Sequence, residues 1–383
     1  MKSIEALVSC FYTILKKRIK FVFIFYLGTI LSAICFAENK VSIKYIMYQD
    51  NNQVTIKTTT LDSTIGKKGF DLSVGAVVDG ISAASRDIPI VDGVTGATPS
   101  SKKKVEKRNE YYVGIGVKEK ETTVKVLVDS SKEDDYASSS YFLTATQEFN
   151  NRNTALSIGY SNFDDKIFPF GVTWEDEITT KVYDLSLTQV LSPISQVRFN
   201  TTYSLSNGYL ENPYHRIVVN YDLLSFYYKE RHPTIRDKIA YGVFYNLSIP
   251  GEMKSSLQLN YRYYFDNWEI TSNTYELKYN RYFTDKLWIS AVGRNYNQRQ
   301  AFFFKNFYTE EERFMTADLK LASFITNLYG LGINYALTSW IDLELTYQIY
   351  NKKTNLDYSP YVGSVAKEDL KSNLFFSCTS IKF

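Results

Sequence analysis

The sequence predicts an all-β protein: a single antiparallel transmembrane β-barrel of about 16 strands, with 14 as the alternative, short periplasmic turns and long outer loops. Three observations lead there. Long segments alternate apolar and polar residues with a period of two. Short and long connections alternate in phase along the chain. An export-type leader opens the sequence, and an alternating segment with a terminal aromatic closes it.

The alternation is clearest in residues 255–266. One face carries Leu257, Leu259, Tyr261, Tyr263 and Phe265; the other carries Ser256, Gln258, Asn260, Arg262, Tyr264 and Asp266. Residues 341–350 set Ile341, Leu343, Leu345, Tyr347 and Ile349 against Asp342, Glu344, Thr346, Gln348 and Tyr350. Residues 196–205 and 239–249 repeat the pattern. A period of two places successive side chains on opposite faces of a strand. These segments run about 10–14 residues. A strand in a soluble protein averages about 5–6, whereas a tilted strand crossing a bilayer needs about 9–11.

The expected strands are 41–49, 53–62, 69–79, 110–118, 121–129, 139–149, 153–162, 178–190, 195–206, 236–248, 254–265, 270–283, 287–299, 314–336, 341–351 and 371–383. Short links fall at 150–152, 191–194, 249–253, 284–286 and 337–340; long ones at 80–109, 130–138, 163–177, 207–235, 300–312 and 352–370. With both termini periplasmic, the two kinds alternate in phase. Two outer links, Asp50–Asn52 and Asp266–Glu269, are short for that side. Segment 314–336 is too long for one regular strand and predicts a bend or bulge near Phe324–Asn327.

The leader is read as a cleaved signal peptide, residues 1–37, leaving 38–383 as the barrel. Lys16, Lys17, Arg18 and Lys20 precede an uncharged run from Phe21 to Ala37, which is shorter than a membrane-spanning helix requires. Its removal leaves 39 basic and 40 acidic residues, a net charge of −1. That balance offers nothing to a nucleic acid. Cys10 and Cys35 leave with the leader, so Cys378 has no intramolecular partner. The 32 Tyr and 25 Phe suit strands and the aromatic girdles of a membrane barrel. At the other end, Phe375, Ile381 and Phe383 share a face and form an expected insertion signal for the barrel-assembly machinery.

From about Val41 to Phe383 the chain resembles domain-of-unknown-function family 3570. The residues that carry the resemblance include Ile46-Met47-Tyr48-Gln49-Asp50-Asn51-Asn52-Gln53-Val54, Val78-Asp79-Gly80-Ile81-Ser82-Ala83-Ala84-Ser85 and Arg152-Asn153-Thr154. Others are Ser206-Asn207-Gly208-Tyr209-Leu210-Glu211-Asn212-Pro213-Tyr214, Glu230-Arg231-His232-Pro233 and Tyr261-Arg262-Tyr263-Tyr264-Phe265-Asp266-Asn267-Trp268. The resemblance implies a bacterial outer-membrane barrel. It brings no substrate and no catalytic residues.

Chemistry-bearing residues are few. Arg198, Arg262, Glu276, Lys278, Asp342 and Glu344 lie on the polar faces of strands, where lipid contact would be costly; they are expected to line a pore. In a soluble sandwich the same face would simply meet water. His215 and His232, the two histidines of the chain, sit in the 207–235 link beside Pro213 and Pro233. They read as loop residues, with a shared metal or proton-transfer site as the sharper alternative; with no Cys nearby and no histidine pair at ligand spacing, no metal and no cofactor is expected. Asp164-Asp165 and Glu133-Asp134-Asp135 read as solvated charge on outer loops, or weak cation sites. Gly66-Lys67-Lys68-Gly69 and Gly114-Ile115-Gly116 lack the following helix of a phosphate loop. Lys102-Lys103-Lys104 with Lys107 and Arg108 reads as a solvated loop run, with attraction to lipopolysaccharide phosphates as the functional alternative.

The function expected is a channel or uptake barrel for small solutes. A non-transport barrel serving other envelope proteins is the alternative, and an outer-membrane hydrolase a third reading for which no motif groups a nucleophile, base and orienting residue. The partners implied are outer-membrane lipid, lipopolysaccharide and the assembly machinery. Link 207–235 holds both histidines and the apolar run Tyr221-Asp222-Leu223-Leu224-Ser225-Phe226-Tyr227-Tyr228. It has three candidate arrangements: a hairpin extending the ninth and tenth strands, a surface lobe, or a segment folded into the bore.

Overall fold

The computed structural model describes residues 39–383 apart from 53, 84–104, 222–223, 253, 307 and 356–368. The expected leader and Lys102-Lys103-Lys104 lie outside the described residues. Sixteen long strands make the wall: β1 (Lys40–Asp50), β2 (Val54–Lys67), β3 (Phe70–Ala83), β4 (Val105–Glu119), β5 (Thr122–Lys132), β6 (Tyr136–Phe149), β7 (Thr154–Ile167), β8 (Asp176–Ser192) and β9 (Ser195–Gly208) come first. A short pair follows, β10 (Arg216–Tyr221) and β11 (Leu224–Lys229). The wall resumes with β12 (Ile235–Ile249), β13 (Ser255–Asp266), β14 (Thr271–Tyr282), β15 (Leu287–Gln298), β16 (Ser323–Ala336), β17 (Ile341–Asn355) and β18 (Leu370–Lys382). Each wall strand pairs antiparallel with its neighbours, and β18 pairs with β1 from Lys40↔Lys382 to Asp50↔Ser372. The ring is closed and has no edge. β10 and β11 form a separate two-stranded sheet.

Directly paired residues share a face, so the register assigns every side chain. One circumferential line runs Arg198, Phe244, Asn260, Glu276, Arg294, Leu328 and Tyr350 across β9 and β12–β17. The 299–322 link folds onto this face: Gln298 Nε2 donates to the Lys320 and Ala322 carbonyls, both at 2.9 Å, and Lys352 Nζ to the Leu319 carbonyl at 2.9 Å. That face is therefore the interior. The opposite face exposes Val113, Ile158, Leu185, Leu259, Leu331 and Leu345 around the ring, as a lipid-facing band requires.

All sixteen expected strands are present, with some boundaries moved. Residues 314–322 are not strand; β16 begins at Ser323. Their apolar content, Phe314, Leu319 and Leu321, packs inside the link rather than on lipid. β16 pairs without a register break from 323 to 336, so the expected bend near Phe324–Asn327 is absent. The irregularity lies instead in β8, between Val190 and Ser192. Other strands outrun their apolar bands, because polar strand ends still complete the hydrogen-bond ladder above the membrane. Asp164 and Asp165 consequently sit on β7, not on a loop, and Lys107 and Arg108 on β4. Glu133-Asp134-Asp135 does form the β5–β6 link.

The turns follow local chemistry. Lys68 (φ 50°) and Gly69 (φ 81°) make a two-residue hairpin of the type that needs two left-handed residues. A Cβ on Gly69 would stand 2.3 Å from the Lys118 carbonyl oxygen. Asn150, Asn151 and Arg152 turn β6 into β7 with three consecutive positive φ values, 50°, 53° and 69°. The two short outer links share one device. Asp50 Oδ1 accepts the Asn52 and Val54 N–H groups at 2.9 Å, while Tyr48 OH holds Oδ2 at 2.9 Å. Asp266 Oδ1 accepts Trp268 and Ile270 N–H at 3.0 and 2.9 Å, with Tyr264 OH on Oδ2 at 2.7 Å. A carboxylate that satisfies two turn amides replaces residues a longer loop would need.

The register yields a direct test. In the refolded protein with its native cysteines replaced by serine, a cysteine at 262 should react with a water-soluble maleimide and a cysteine at 259 should not, because the two side chains lie on opposite faces of β13. A one-residue slip would invert the result.

Candidate functional site: the lumen and the cap across its mouth

All six charged residues singled out on the strands face inward. They do not form one cluster. Glu276 Oε2 is held by Arg294 through NH2 at 2.5 Å and Nε at 2.6 Å, not by Lys278. Asp342 pairs with Lys382 at 2.6 Å. Glu344 lies 3.5 Å from the Thr346 hydroxyl. Arg198 stacks over Phe244, 4.4 Å from the ring centre. Further interior ion pairs join Arg236 to Asp266 (2.6 Å), Arg108 to Asp79 (2.7 Å) and Lys44 to Asp62 (2.5 Å). The same inward parity would have found these; the clearest alternating segments alone did not.

The pairs leave an uneven lumen. β2–β8 present Asp62, Asp71, Asp79, Glu110, Asp129, Glu148, Asp165 and Asp184 inward, against Arg108, Lys118 and Lys125. β9 and β12–β17 present Arg198, Arg236, Lys238, Arg262, Lys278, Arg294 and Lys352, against Asp266, Glu276, Asp342 and Glu344. One wall is mainly acidic and the facing wall mainly basic.

The mouth is bridged. Tyr214, in the β9–β12 connection, hydrogen-bonds through its hydroxyl to Asp135 Oδ2 of the β5–β6 link. Five residues on, Val219 bridges to Tyr308 of the β15–β16 link. Counted round the ring, those two links have eight strands between them on either side, so they are diametrically opposed. A 16-stranded barrel with strands about 4.8 Å apart and tilted about 40° has a backbone diameter of about 30 Å. Five residues span at most about 17 Å. The Tyr214 and Asp135 side chains and the Val219–Tyr308 bridge cover the rest, and the connection crosses the mouth between the opposed links. It neither extends β9 and β12 nor stands apart as a surface lobe.

Two apolar clusters fasten this cap. Ile217, Val219, Tyr308 and Met315 are buried together, with Tyr228 and Ala317 against them. Trp268, Ile270, Ala301, Phe303, Phe304, Leu321 and Ala322 form the second, resting on Leu210 and the inward Tyr264. Each fully buried Val, Ile or Met contributes about 1.5–3 kcal/mol. Tyr308 OH accepts the Thr316 N–H at 2.8 Å and donates to the Phe303 carbonyl at 2.8 Å. Arg231 and Met315 exchange backbone hydrogen bonds of 2.9 and 2.8 Å. Gly208 sets the base: its φ is +129°, its N–H donates to Thr234 at 3.0 Å, and a Cβ there would meet the Glu177 carbonyl oxygen at 2.0 Å.

Between the clusters lies a buried ionic group. Glu230 is 2% exposed. Its Oε1 accepts the Thr316 hydroxyl at 2.8 Å and the Ala317 N–H at 3.2 Å. Its Oε2 faces His215 Nδ1 at 3.5 Å and His232 Nε2 at 3.4 Å, and Asp318 Oδ2 is 4.0 Å from His215 Nδ1. The two histidines are thus brought together by Glu230, which the sequence marks only within the Glu230-Arg231-His232-Pro233 motif. Among the described residues no group of three or more His, Cys, Asp or Glu is arranged to hold a metal ion. His232 Nδ1 pairs with the Leu210 carbonyl at 2.9 Å, and its ring packs edge-on to Trp268. Burial by itself pushes the Glu230 carboxyl up, but the adjoining imidazoles outweigh it and hold it down at about 2, against an ordinary 4.5.

The sequence matches no curated protein. The profile of a family described as "Protein of unknown function (DUF3570)" matches residues 29–180 and 172–374. The chain belongs to this family. Among solved structures the DUF3570 barrel is similar to a "Bacterial polysaccharide outer membrane secretin", 6% identical, with a TM-score of 0.52 over 91% of this chain and 100% of that one. It is also similar to CdiB from Acinetobacter baumannii, 6% identical, with a TM-score of 0.50 over 90% of this chain and 60% of that one. At such identities the likeness is one of fold, that of an outer-membrane barrel.

The ionic group makes the cap testable. Glu230→Gln removes the charge, and docking of the cap should weaken by about 3 kcal/mol, a roughly hundredfold faster amide exchange at Ala317 and Arg231. A carboxyl held below its usual value stabilises the docked cap fully above pH 4.5 and progressively less as pH falls toward 2. Exchange at the same amides, corrected for intrinsic rates, should therefore quicken across that window in the native protein. Unchanged exchange in both experiments would show that Glu230 does not hold the cap.

Proposed function

We propose that this DUF3570 protein is a passive channel for small polar solutes in a bacterial outer membrane, with its bore restricted from outside by the cap. The observation that carries the proposal is the pairing of a wide, charged lumen with a connection crossing its mouth. A 16-stranded ring leaves a water-filled interior unless loops fill it. The acidic and basic walls set a field across the bore, which favours polar and dipolar solutes over apolar ones. Within this reading the six residues from Arg198 to Glu344 are pore-lining, and the leader at residues 1–37 delivers the chain for export. The outward Phe375 and Ile381 of β18, with Phe383 just past its end, support insertion through the assembly machinery.

One observation favours the alternative, a non-transport barrel that serves envelope partners. Phe226 and Tyr227 are neighbours on β11, so they point to opposite sides of the hairpin, yet they are 47% and 66% exposed. Aromatics exposed on both sides of a surface hairpin suit a protein partner.

Conductance separates the two. In planar bilayers the intact protein should pass small currents, and deletion of residues 215–232 should raise single-channel conductance several-fold. Conductance and ion selectivity that are unchanged by the deletion would show that the cap does not restrict the bore; no conductance in either form would favour the non-transport barrel. Deleting Phe383 should lower the amount of heat-modifiable barrel in the outer-membrane fraction without blocking export. A normal level there would remove the terminal aromatic from the insertion signal.

A further inference from the structure

The inner wall of β12–β17 contains a recess of about 530 Å³. Its size falls within the roughly 300–1,000 Å³ of small-molecule sites. Phe244, Tyr296 and Phe324 supply its aromatic surface, and the last two rings pack with centroids 5.5 Å apart. Its charged groups are Arg262, Glu276 and Arg294.

Those three charges are not equivalent. Both oxygens of Glu276 are engaged: Oε2 takes Arg294 at 2.5 Å, and Oε1 accepts from Asn260 Nδ2 at 2.8 Å. The Arg294–Glu276 pair is close to neutral. Arg262 stands opposite Gly242 on one side and Thr274 on the other. Among the described residues no carboxylate lies within ion-pair distance of it, and its side chain is exposed to the lumen. Gly242 has no side chain of its own, and the Asn200 side chain reaches over it. The aromatic flanks add further positive charge: Arg198 lies 4.4 Å above the Phe244 ring and Lys352 Nζ 4.3 Å above Phe324. An open guanidinium beside aromatic surface, with the one nearby acid already neutralised, selects an anion that carries an apolar body. Arginine's planar fork matches a carboxylate with two parallel hydrogen bonds, which a lysine cannot reproduce.

We infer that this recess is a binding station for a small organic carboxylate, with Arg262 holding the carboxylate and Phe244, Tyr296 and Phe324 the apolar body. The inference deepens the channel reading by naming a class of solute, and it rests on that reading only for how the solute arrives. Equilibrium binding tests it without any measurement of transport. The refolded full-length protein is titrated calorimetrically with 3-phenylpropionate and with neutral 3-phenylpropanamide, a pair that differs in charge and not in apolar body. The carboxylate should bind saturably and at least tenfold tighter than the amide. Arg262→Gln should abolish that preference while the variant remains heat-modifiable. Arg262→Lys should restore part of it, and Lys125→Gln, on the facing wall, should leave it intact. Equal affinities for the two probes, no saturable binding, or a preference that survives Arg262→Gln would each overturn the assignment. Binding without bilayer conductance would retain the station and remove the channel; conductance without binding would do the reverse.

Discussion

The constraint on which everything else depends is the closure of the backbone hydrogen-bond ladder. In hydrocarbon an unpaired peptide group costs several kcal/mol, so a sheet crossing a bilayer must have no edge. Here the first strand meets the last along the whole of β1, from Lys40↔Lys382 to Asp50↔Ser372. Among the described residues no disulfide assists this closure, and Cys378 is a free thiol. Once the ring is closed, the pleat decides the rest. Every second side chain faces lipid and must be apolar, and every other one faces an interior too wide for side chains to fill.

That interior is a problem in electrostatics. Charges placed on long strands around a wet bore are cheapest when they neutralise one another. Arg294 with Glu276 and Arg236 with Asp266 do so at 2.5–2.6 Å. What gives the lumen its character is the remainder. The pairing is incomplete in opposite senses on the two walls, leaving carboxylates on β2–β8 and cations on β9 and β12–β17. Arg262 is the sharpest instance, because the carboxylate nearest along its wall already belongs to another arginine.

The cap obeys different rules from the wall. Its connections carry apolar side chains that no strand position accommodates, and they bury them against one another instead. Trp268 joins three connections at once: it is delivered by the Asp266 turn, lies under the Arg236 guanidinium at 4.3 Å, and meets His232 and Phe303 edge-on. Glu230 then sits as a buried ion between the two apolar clusters. Its ionised state is held by groups that arrive from elsewhere in the cap, so docking and charge are coupled.

The sequence alone determined the barrel. Period-two alternation, strand length and the phase of the links are local properties, and they placed sixteen strands and assigned Arg198, Arg262, Glu276, Lys278, Asp342 and Glu344 to the inward face. It erred where apolar content has a second use: Phe314, Leu319 and Leu321 resemble strand but pack within a connection, because local periodicity does not reveal what a residue packs against. The partners of charges were equally out of reach. Which arginine takes Glu276, and that His215 and His232 meet at Glu230, depend on register and on links brought together from far along the chain. The cap across the mouth belongs wholly to tertiary structure. Tyr214 and Asp135 are 79 positions apart, and only a closed ring sets the β5–β6 link opposite the β15–β16 link, near enough for one connection to reach both.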